Sequence, residues 1–217
     1  MKPVILFDLD GTLIDSTEAI LEGFHVAFNA FGAMAPADEA IKQEIGHPLE
    51  DMFLTLGVVP EQVDAYVRTY KKHYRKISCA KTVLLNEARE AIIEASQFAA
   101  LGIVTTKTGE YSTILLEHMG LMSYFSVLVG REHVHHPKPH PEPIFKALAK
   151  IPHENGRVWM IGDTPMDILS AQRAGVHAVA VTSGYASREI LQKYASKIYS
   201  SAREAVEFIK KYDEKYK

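Results

Sequence analysis

Two aspartates follow a short apolar run near the start of the chain. Residues 4–7 (VILF) are typical of a strand buried on both faces, and Asp8 and Asp10 come directly after them. If the strand geometry persists, its two-residue period points both carboxylates to the same side. Unpaired charges are costly to bury, and a bound metal ion would remove that cost. The pattern therefore indicates a metal-binding carboxylate pair at the carboxyl end of a strand, where open α/β sheets bind ligands.

The residues around this pair extend the pattern. An isolated Asp-x-Asp is most simply a turn before a helix, and Gly11 would allow such a turn. Residues 8–13 (DLDGTL), placed after a hydrophobic strand, nevertheless resemble the first motif of the haloacid dehalogenase-like hydrolase superfamily, whose members are mostly phosphatases. The resemblance implies three further motifs, in a fixed order along the chain.

The second of these motifs is a hydroxyl at the end of another strand. Thr105 closes an apolar run at residues 101–104, and Thr106 and Lys107 follow it. A threonine at a strand end is usually only a good strand former. In this position its hydroxyl and the nearby backbone amides could hold a phosphoryl oxygen without adding a competing charge.

The third motif is a lysine in a proline-rich stretch. Lys138 lies in residues 136–143 (HPKPHPEP), where every second residue is proline. These prolines restrict the backbone, so Lys138 would be held on a stiff loop. A loop lysine is ordinarily solvated, but this spacing closely resembles the third motif of the superfamily.

The fourth motif is acidic. Asp163 and Asp167 lie in residues 158–167 (VWMIGDTPMD), with Asp163 at a predicted strand end. Thr164 can cap the following helix and Pro165 can take its first position, so Asp167 could simply complete a capping arrangement. The stretch also resembles the acidic fourth motif, so all four motifs occur in the expected order.

The resemblance implies a Mg²⁺ site. Mg²⁺ prefers oxygen ligands and retains several waters, so one or two carboxylates suffice. By resemblance, the ligands are the carboxylate of Asp8, the backbone carbonyl of Asp10 and Asp163, with Asp167 in support.

The same resemblance implies the catalytic roles. Asp8 attacks phosphorus and forms an aspartyl-phosphate, and Asp10 serves first as acid and then as base. Lys138 stabilises charge on the transferring group. Dehalogenation needs no such acid, and dehalogenases of the family lack the second aspartate, so Asp10 favours phosphoryl transfer. The expected substrate-binding residues are Thr105, Thr106, Lys138 and Gly11.

The pattern of helices and strands predicts how these residues are positioned. Apolar residues recur at helical spacing through residues 16–82, where no strand is indicated. Strands and helices alternate after residue 83, which implies parallel pairing. We therefore expect an α/β fold with a doubly wound, Rossmann-like parallel sheet. Its core comprises residues 1–15 and 83–217, and residues 16–82 form an inserted all-helical cap domain.

Composition narrows the class of protein. A net charge of −3 argues against a general nucleic-acid binder, and Cys79, the only cysteine, permits no intramolecular disulfide. The apolar run at residues 4–7 is too short for a signal peptide or membrane span. We expect a cytoplasmic enzyme, monomer or homodimer, that acts on a small phosphorylated metabolite and binds neither nucleic acid nor membrane.

Several alternatives remain open at this point. The position of the cap and the strand at residues 102–107 (GIVTTK) look most like phosphoglycolate phosphatases and related bacterial pyrophosphatases. A phosphomutase of the β-phosphoglucomutase kind would share all four motifs. A receiver-like module also pairs carboxylates with Mg²⁺, but it is shorter and lacks an inserted cap.

Two other groups of residues have simpler interpretations. His133, His135, His136 and His140 crowd one loop, but their spacing fits no closed zinc pattern. A basic run in the cap is most simply a solvated helix face, with attraction of anionic substrates as the alternative. Its members are Arg68, Lys71, Lys72, Arg75 and Lys76. In the cap, His47 is the one candidate for a substrate contact.

Overall fold

The structure is a computed structural model that describes residues 2–154 and 157–215. Its strands are, in chain order, β1 (Val4–Phe7), β2 (Ile14–Asp15), β3 (Val83–Leu84), β4 (Ala100–Val104), β5 (Phe125–Val129), β6 (Val158–Gly162), β7 (His177–Val181) and β8 (Ile198–Tyr199). Its helices are α1 (Thr17–Ala30), α2 (Asp38–Glu44), α3 (Leu49–Thr55), α4 (Pro60–Ile77), α5 (Ala88–Phe98), α6 (Gly109–His118), α7 (Glu142–Leu148), α8 (Pro165–Ala174), α9 (Arg188–Leu191) and α10 (Ala202–Lys215). No helix in the described ranges has the length and apolar character needed to cross a membrane.

The main sheet has six parallel strands in the order β5–β4–β1–β6–β7–β8. The chain builds from β1 to one edge and then returns with β6 to the other side of β1. The doubly wound parallel sheet predicted from the sequence is confirmed. Strands β1 and β6 flank the point where the strand order reverses, and open α/β sheets bind ligands beyond the carboxyl ends of the strands at such a point.

Helices cover both faces of the sheet, and β1 is buried between them. Ile5 and Phe7 belong to an apolar cluster that includes residues of α5 and α10. Val4 and Leu6 belong to a second cluster, which includes residues of α7 and α8. This two-sided burial explains why β1 is a continuous apolar run rather than an alternating one.

Helices α1 to α4 pack around an apolar cluster that is rich in aromatic residues and that also includes Tyr111 of α6. The ring centroids of Phe24 and Phe53 are 4.5 Å apart, and those of Phe24 and Tyr70 are 5.2 Å apart. Gly23 allows α1 to approach α4 closely, because a Cβ there would lie 2.5 Å from the Tyr70 ring. Residues 17–77 therefore contain the helices that the sequence predicts, and they pack against one another.

A two-stranded ribbon lies where the chain enters and leaves this helical segment. Strands β2 and β3 pair antiparallel, with Ile14 opposite Leu84 and Asp15 opposite Val83. The sequence analysis did not predict this ribbon, because a two-residue strand is too short to display a period. The expected boundaries at residues 15 and 83 fall within it.

Candidate active site

Asp8 and Asp163 lie at the carboxyl ends of neighbouring strands. The backbone N–H of Asp8 donates to the carbonyl of Ile161 (2.9 Å), which fixes the end of β1 against β6. One carboxylate oxygen from each of Asp8, Asp163 and Asp167 lies within 4.8 Å of the others. All three residues are buried. We call them the carboxylate cluster, and it lies at the reversal point of the sheet.

Lys138 is the cation next to this cluster, and its side chain is only 2% exposed. Its Nζ lies 2.9 Å from Asp8 Oδ1, an ion pair without hydrogen-bond alignment, and it donates a hydrogen bond to Asp167 Oδ1. Burial opposes the charged form of Lys138, yet Asp167 and Asp8 together raise the pKa of its ammonium above the usual value. Lys138 therefore remains charged within the site.

Asp167 completes a helix cap and contacts Lys138 at the same time. Its Oδ2 accepts hydrogen bonds from the backbone N–H (3.1 Å) and hydroxyl (2.7 Å) of Thr164, which is the N-cap of α8. Its Oδ1 accepts from Lys138. A Cβ at Gly162 would lie 2.2 Å from the Asp167 carboxyl carbon, so only glycine fits beneath it. Asp167 therefore makes the contacts of a helix cap, and it also contacts the lysine of the third motif.

Asp163 is held by two other segments of the chain, the loops that follow β1 and β7. Its Oδ1 accepts from the Thr12 hydroxyl (3.0 Å) and its Oδ2 from the backbone N–H of Tyr185 (2.9 Å). A Cβ at Gly11 or Gly184 would lie 2.4 or 2.0 Å from Asp163 Oδ2. The loop after β7 therefore belongs to the site, although the sequence analysis did not identify it. The local sign of this loop in the sequence is Ser-Gly-Tyr shortly after a buried strand.

The carboxylate cluster has more negative charge than its neighbours neutralise. Burial raises the pKa of Asp8 to about 7; Lys138 opposes this shift and Asp167 adds to it. Burial, followed by the charges of Asp8 and Asp167, raises the pKa of Asp163 well above its usual value. Three buried carboxylates with one ammonium fit a divalent cation, which would offset the excess charge and which favours oxygen ligands.

Asp10 lies beside the carboxylate cluster and is not one of its members. Its Oδ1 and Oδ2 accept hydrogen bonds from Lys107 Nζ (3.1 and 3.0 Å), and Oδ1 also accepts from the Ser16 hydroxyl. The strand geometry ends at Phe7, so the two-residue period does not extend to Asp10. The Asp10 side chain therefore has its partners outside the carboxylate cluster.

The hydroxyls of Thr105 and Thr106 have different partners. Thr105 Oγ1 accepts from the backbone N–H of Lys107 (3.2 Å), which keeps it at the end of β4. Thr106 Oγ1 donates to the carbonyl of Gly46 (3.0 Å), so it joins the sheet to the helical segment. The N–H of Gly11 donates to the Ile14 carbonyl (2.8 Å), and Gly11 shapes the wall around Asp163 instead.

An open pocket separates the helical segment from the carboxyl edge of the sheet. Asp10, Thr106 and Lys107 line its floor. Apolar and aromatic side chains of the helical segment line it from above: Ile45, Leu49, Met52, Tyr70 and Tyr74. His47 lines the pocket as well, and its Nδ1 lies 3.0 Å from the carbonyl of Glu44.

Comparison with known proteins assigns the family. Residues 5–181 match the profile of the family described as haloacid dehalogenase-like hydrolase. The chain belongs to this family. It is 36% identical over 190 residues to a protein of Dickeya dadantii named as a phosphatase, IndB, covering 85% of this chain and 83% of that protein. It is 35% identical over 195 residues to pyrophosphatase PpaX of Anoxybacillus flavithermus, covering 88% of both.

Solved structures agree on the fold. A haloacid dehalogenase-like hydrolase from Bacteroides fragilis superposes with a TM-score of 0.89 at 29% identity, covering 94% of this chain and all of that one. A protein described as a phosphoglycolate phosphatase from Haemophilus somnus superposes with a TM-score of 0.87, covering 95% and 97%, and at 21% identity this likeness shows the fold alone. Together with the relatives, these findings confirm that the chain is a haloacid dehalogenase-like phosphatase.

In this haloacid dehalogenase-like phosphatase, the loop histidines have structural partners. His133 Nδ1 accepts from the N–H of Gly130 (2.9 Å), and His140 Nδ1 accepts from the N–H of Glu142 (3.1 Å). His136, His140 and Glu142 come close enough together to hold a metal ion. The hydrogen bond to Glu142, however, leaves neutral His140 with its proton on Nε2, where a metal would have to bind. These contacts favour the structural interpretation.

Proposed function

We propose that this phosphatase is Mg²⁺-dependent and hydrolyses a small phosphate monoester, similar in size and charge to phosphoglycolate, through an aspartyl-phosphate on Asp8. The observation that carries the proposal is the carboxylate cluster. Three buried carboxylates lie within 4.8 Å of one another beside a buried lysine, and Asp10, two residues after Asp8, lines an open pocket. A charge arrangement of this kind suits a metal-assisted reaction on an anionic substrate.

The cluster indicates which groups would hold the metal. Asp8 and Asp163 would contribute carboxylate oxygens and Asp10 its backbone carbonyl. Asp167 has its oxygens committed to Thr164 and Lys138, so it would support the site by orienting Lys138. Bound Mg²⁺ would supply the positive charge that allows a carboxylate to approach a phosphate dianion.

The protein residues divide the reaction into two steps. In the first, an oxygen of Asp8 forms a bond to phosphorus while the bond to the leaving oxygen breaks, and that oxygen takes the electron pair and a proton from Asp10. In the second, Asp10 accepts a proton from a water molecule as the water attacks phosphorus, which returns Asp8 to its carboxylate form. Lys138 and the hydroxyl of Thr105 would orient the phosphoryl oxygens.

The helical segment would act as a cap over this site. We place the cap at residues 16–82 and the core at residues 1–15 and 83–217. In support, the helices of the cap pack around a shared apolar cluster, and the β2–β3 ribbon joins the two parts. Thr106 would hold the cap to the core through its bond to Gly46 (3.0 Å). A cap in this position would exclude water from the leaving group.

Pyrophosphate is the second candidate substrate. The relative PpaX is named as a pyrophosphatase, and the chain covers 88% of it at 35% identity. Pyrophosphate would fill the pocket with a second phosphate rather than an organic group. The apolar side chains along the cap wall, among them Leu49 and Met52, favour an organic leaving group.

A panel of substrates tests the proposal. Phosphate release is measured for phosphoglycolate, pyrophosphate, sugar phosphates and nucleotides, with and without Mg²⁺. We expect turnover to require Mg²⁺ and to be fastest with a small monoester. Release that persists after removal of all divalent ions would contradict the metal assignment, and release from none of the substrates would contradict the proposed activity.

A further inference from the structure

We infer that Arg131 recognises a second negative charge on the leaving group, a carboxylate or a phosphate, and that Glu50 competes with this charge for it. The inference rests on the proposed phosphatase function of the same site and specifies its substrate class. That class is a short phosphate ester whose leaving group is itself an anion.

The location of the pocket relates it to the leaving group. Asp10, which we propose as the acid for the leaving oxygen, lies on the pocket floor. Whatever remains attached to that oxygen must therefore extend into the pocket. Arg131 and Glu50 line the same pocket, Arg131 from the core and Glu50 from α3 of the cap.

Arg131 is fixed in place and incompletely paired. Its backbone N–H donates to the carbonyl of Lys107 (3.0 Å), and its Nη1 donates to the carbonyl of Val134 (3.3 Å). Its Nε is shielded from water and makes no hydrogen bond to a described residue. Buried donors are normally satisfied, so this unused guanidinium N–H, on a residue that lines the pocket, is available for a ligand.

Glu50 is the opposing charge, and its contact with Arg131 is poor. Its Oε2 lies 3.8 Å from Arg131 Nε, beyond hydrogen-bond distance, and is likewise shielded and without a hydrogen bond to any described residue. Both side chains are only partly buried, and two opposite charges that face each other without bonding form a weak pair. An anionic oxygen placed on Arg131 would make the bond that Glu50 does not make.

The charge balance of the pocket also favours an anion. Its lining contains the cations Lys71, Lys107 and Arg131 and the carboxylates Asp10 and Glu50. Lys107 is already paired with Asp10 at 3.0 Å. Lys71 also lines an adjoining surface groove together with the other basic residues of α4, so the approach to the pocket is positive.

Two substrates of matched size isolate this charge. Phosphoglycolate and ethyl phosphate have the same two-carbon leaving group, which ends in a carboxylate in the first and a methyl in the second. The measured quantity is the ratio of kcat/KM for phosphoglycolate to kcat/KM for ethyl phosphate. We expect wild type to favour phosphoglycolate, because only its carboxylate can bond to Arg131.

The variants should change this ratio in opposite directions. Arg131→Gln should lower it on the order of ten- to a hundred-fold, which is the usual worth of a hydrogen bond between charged groups, and Arg131→Lys should lower it less. Glu50→Gln should raise the ratio several-fold, because it removes the competing charge. A purely structural ion pair would instead lose activity towards both substrates in both variants.

Each outcome distinguishes this inference from the proposed function. Equal losses for the two substrates in Arg131→Gln, or a wild-type ratio near one, would overturn the inference while the phosphatase proposal stands. No release by wild type from any substrate of the panel, including these two, would overturn the phosphatase proposal itself. Pyrophosphate is the third substrate in the test. If wild type prefers pyrophosphate and Arg131→Gln loses this preference, the inference is supported with a phosphate as the second negative charge.

Discussion

Replacing Gly184 with alanine should weaken Mg²⁺ binding without unfolding the protein. A Cβ at residue 184 would lie 2.0 Å from Asp163 Oδ2 and 2.6 Å from the carbonyl oxygen of Gly11. One of these groups must move by about 1 Å to relieve the contact, because carbon and oxygen repel strongly at such distances. The 2.9 Å bond from the N–H of Tyr185 to Asp163 would then be lost.

The size of the effect follows from that bond. A hydrogen bond to a charged group contributes about 1.5–3 kcal/mol, and loss of the groups that orient a metal ligand typically lowers affinity by about 10–100-fold. We therefore expect the Mg²⁺ concentration for half-maximal phosphate release to rise by about 10–100-fold in Gly184→Ala. Calorimetric titration with Mg²⁺ should give the same change.

A matched variant controls for the general effect of removing a glycine. Gly120 has φ = 68°, and a Cβ there would have nothing within 4 Å, so Gly120→Ala strains the backbone without touching the site. We expect it to lower the unfolding temperature and leave the Mg²⁺ dependence unchanged. A folded Gly184→Ala protein with a half-activity concentration within about twofold of wild type would refute the reasoning, because ligand orientation would then contribute little.

Four further predictions follow from the site. Asp8→Asn should abolish turnover while the circular dichroism spectrum and unfolding temperature stay near wild type; near-normal turnover would remove Asp8 as nucleophile. Asp163→Ala should raise the Mg²⁺ requirement more than Asp167→Ala does, because Asp167 acts through Lys138, and equal shifts would contradict that ranking. Asp10→Asn should slow the rapid-quench burst by about a hundred- to ten-thousand-fold with an alkyl phosphate and much less with an activated aryl phosphate, and equal losses would contradict the acid role. The backbone N–H groups of His135 and His136 hold the pKa of Glu142 at about 2, below its usual 4.5. The stabilising effect of Glu142 is therefore complete above pH 4.5 and declines as the pH falls towards 2. The difference in unfolding free energy between wild type and Glu142→Gln, measured in urea, should shrink over that window, and a constant difference would refute the prediction.

The parts of the fold that were predictable have strong local signals. Strand β1 was predictable because burial on both faces requires an unbroken apolar run. The start of α8 was predictable because Thr164, Pro165 and Asp167 have the residue types of a helix cap at the right spacing. Both elements lie at the site, so the positions of Asp8 and Asp163 followed from local sequence.

The remaining features depend on contacts between distant segments. Nothing near Tyr185 in the sequence indicates that its N–H bonds to Asp163. The pairing of Lys107 with Asp10 joins loops that follow β4 and β1, and it was missed because ion pairs across a site have no sequence period. The misaligned contact between Arg131 and Glu50 likewise becomes visible only when the helical segment lies over the sheet.

The β2–β3 ribbon also affects how the chain could be shortened. Ile14 and Leu84 are paired neighbours, so the two ends of the inserted helical segment meet at the base of a hairpin. Antiparallel partners have Cα atoms about 5 Å apart, a gap that a two-residue turn closes. Replacing residues 16–82 with such a turn would leave every strand of the main sheet in place. It would also expose Tyr111 and Tyr185, which pack against the apolar cluster of the helical segment. These tyrosines are therefore the surface that any segment replacing the helices would have to cover.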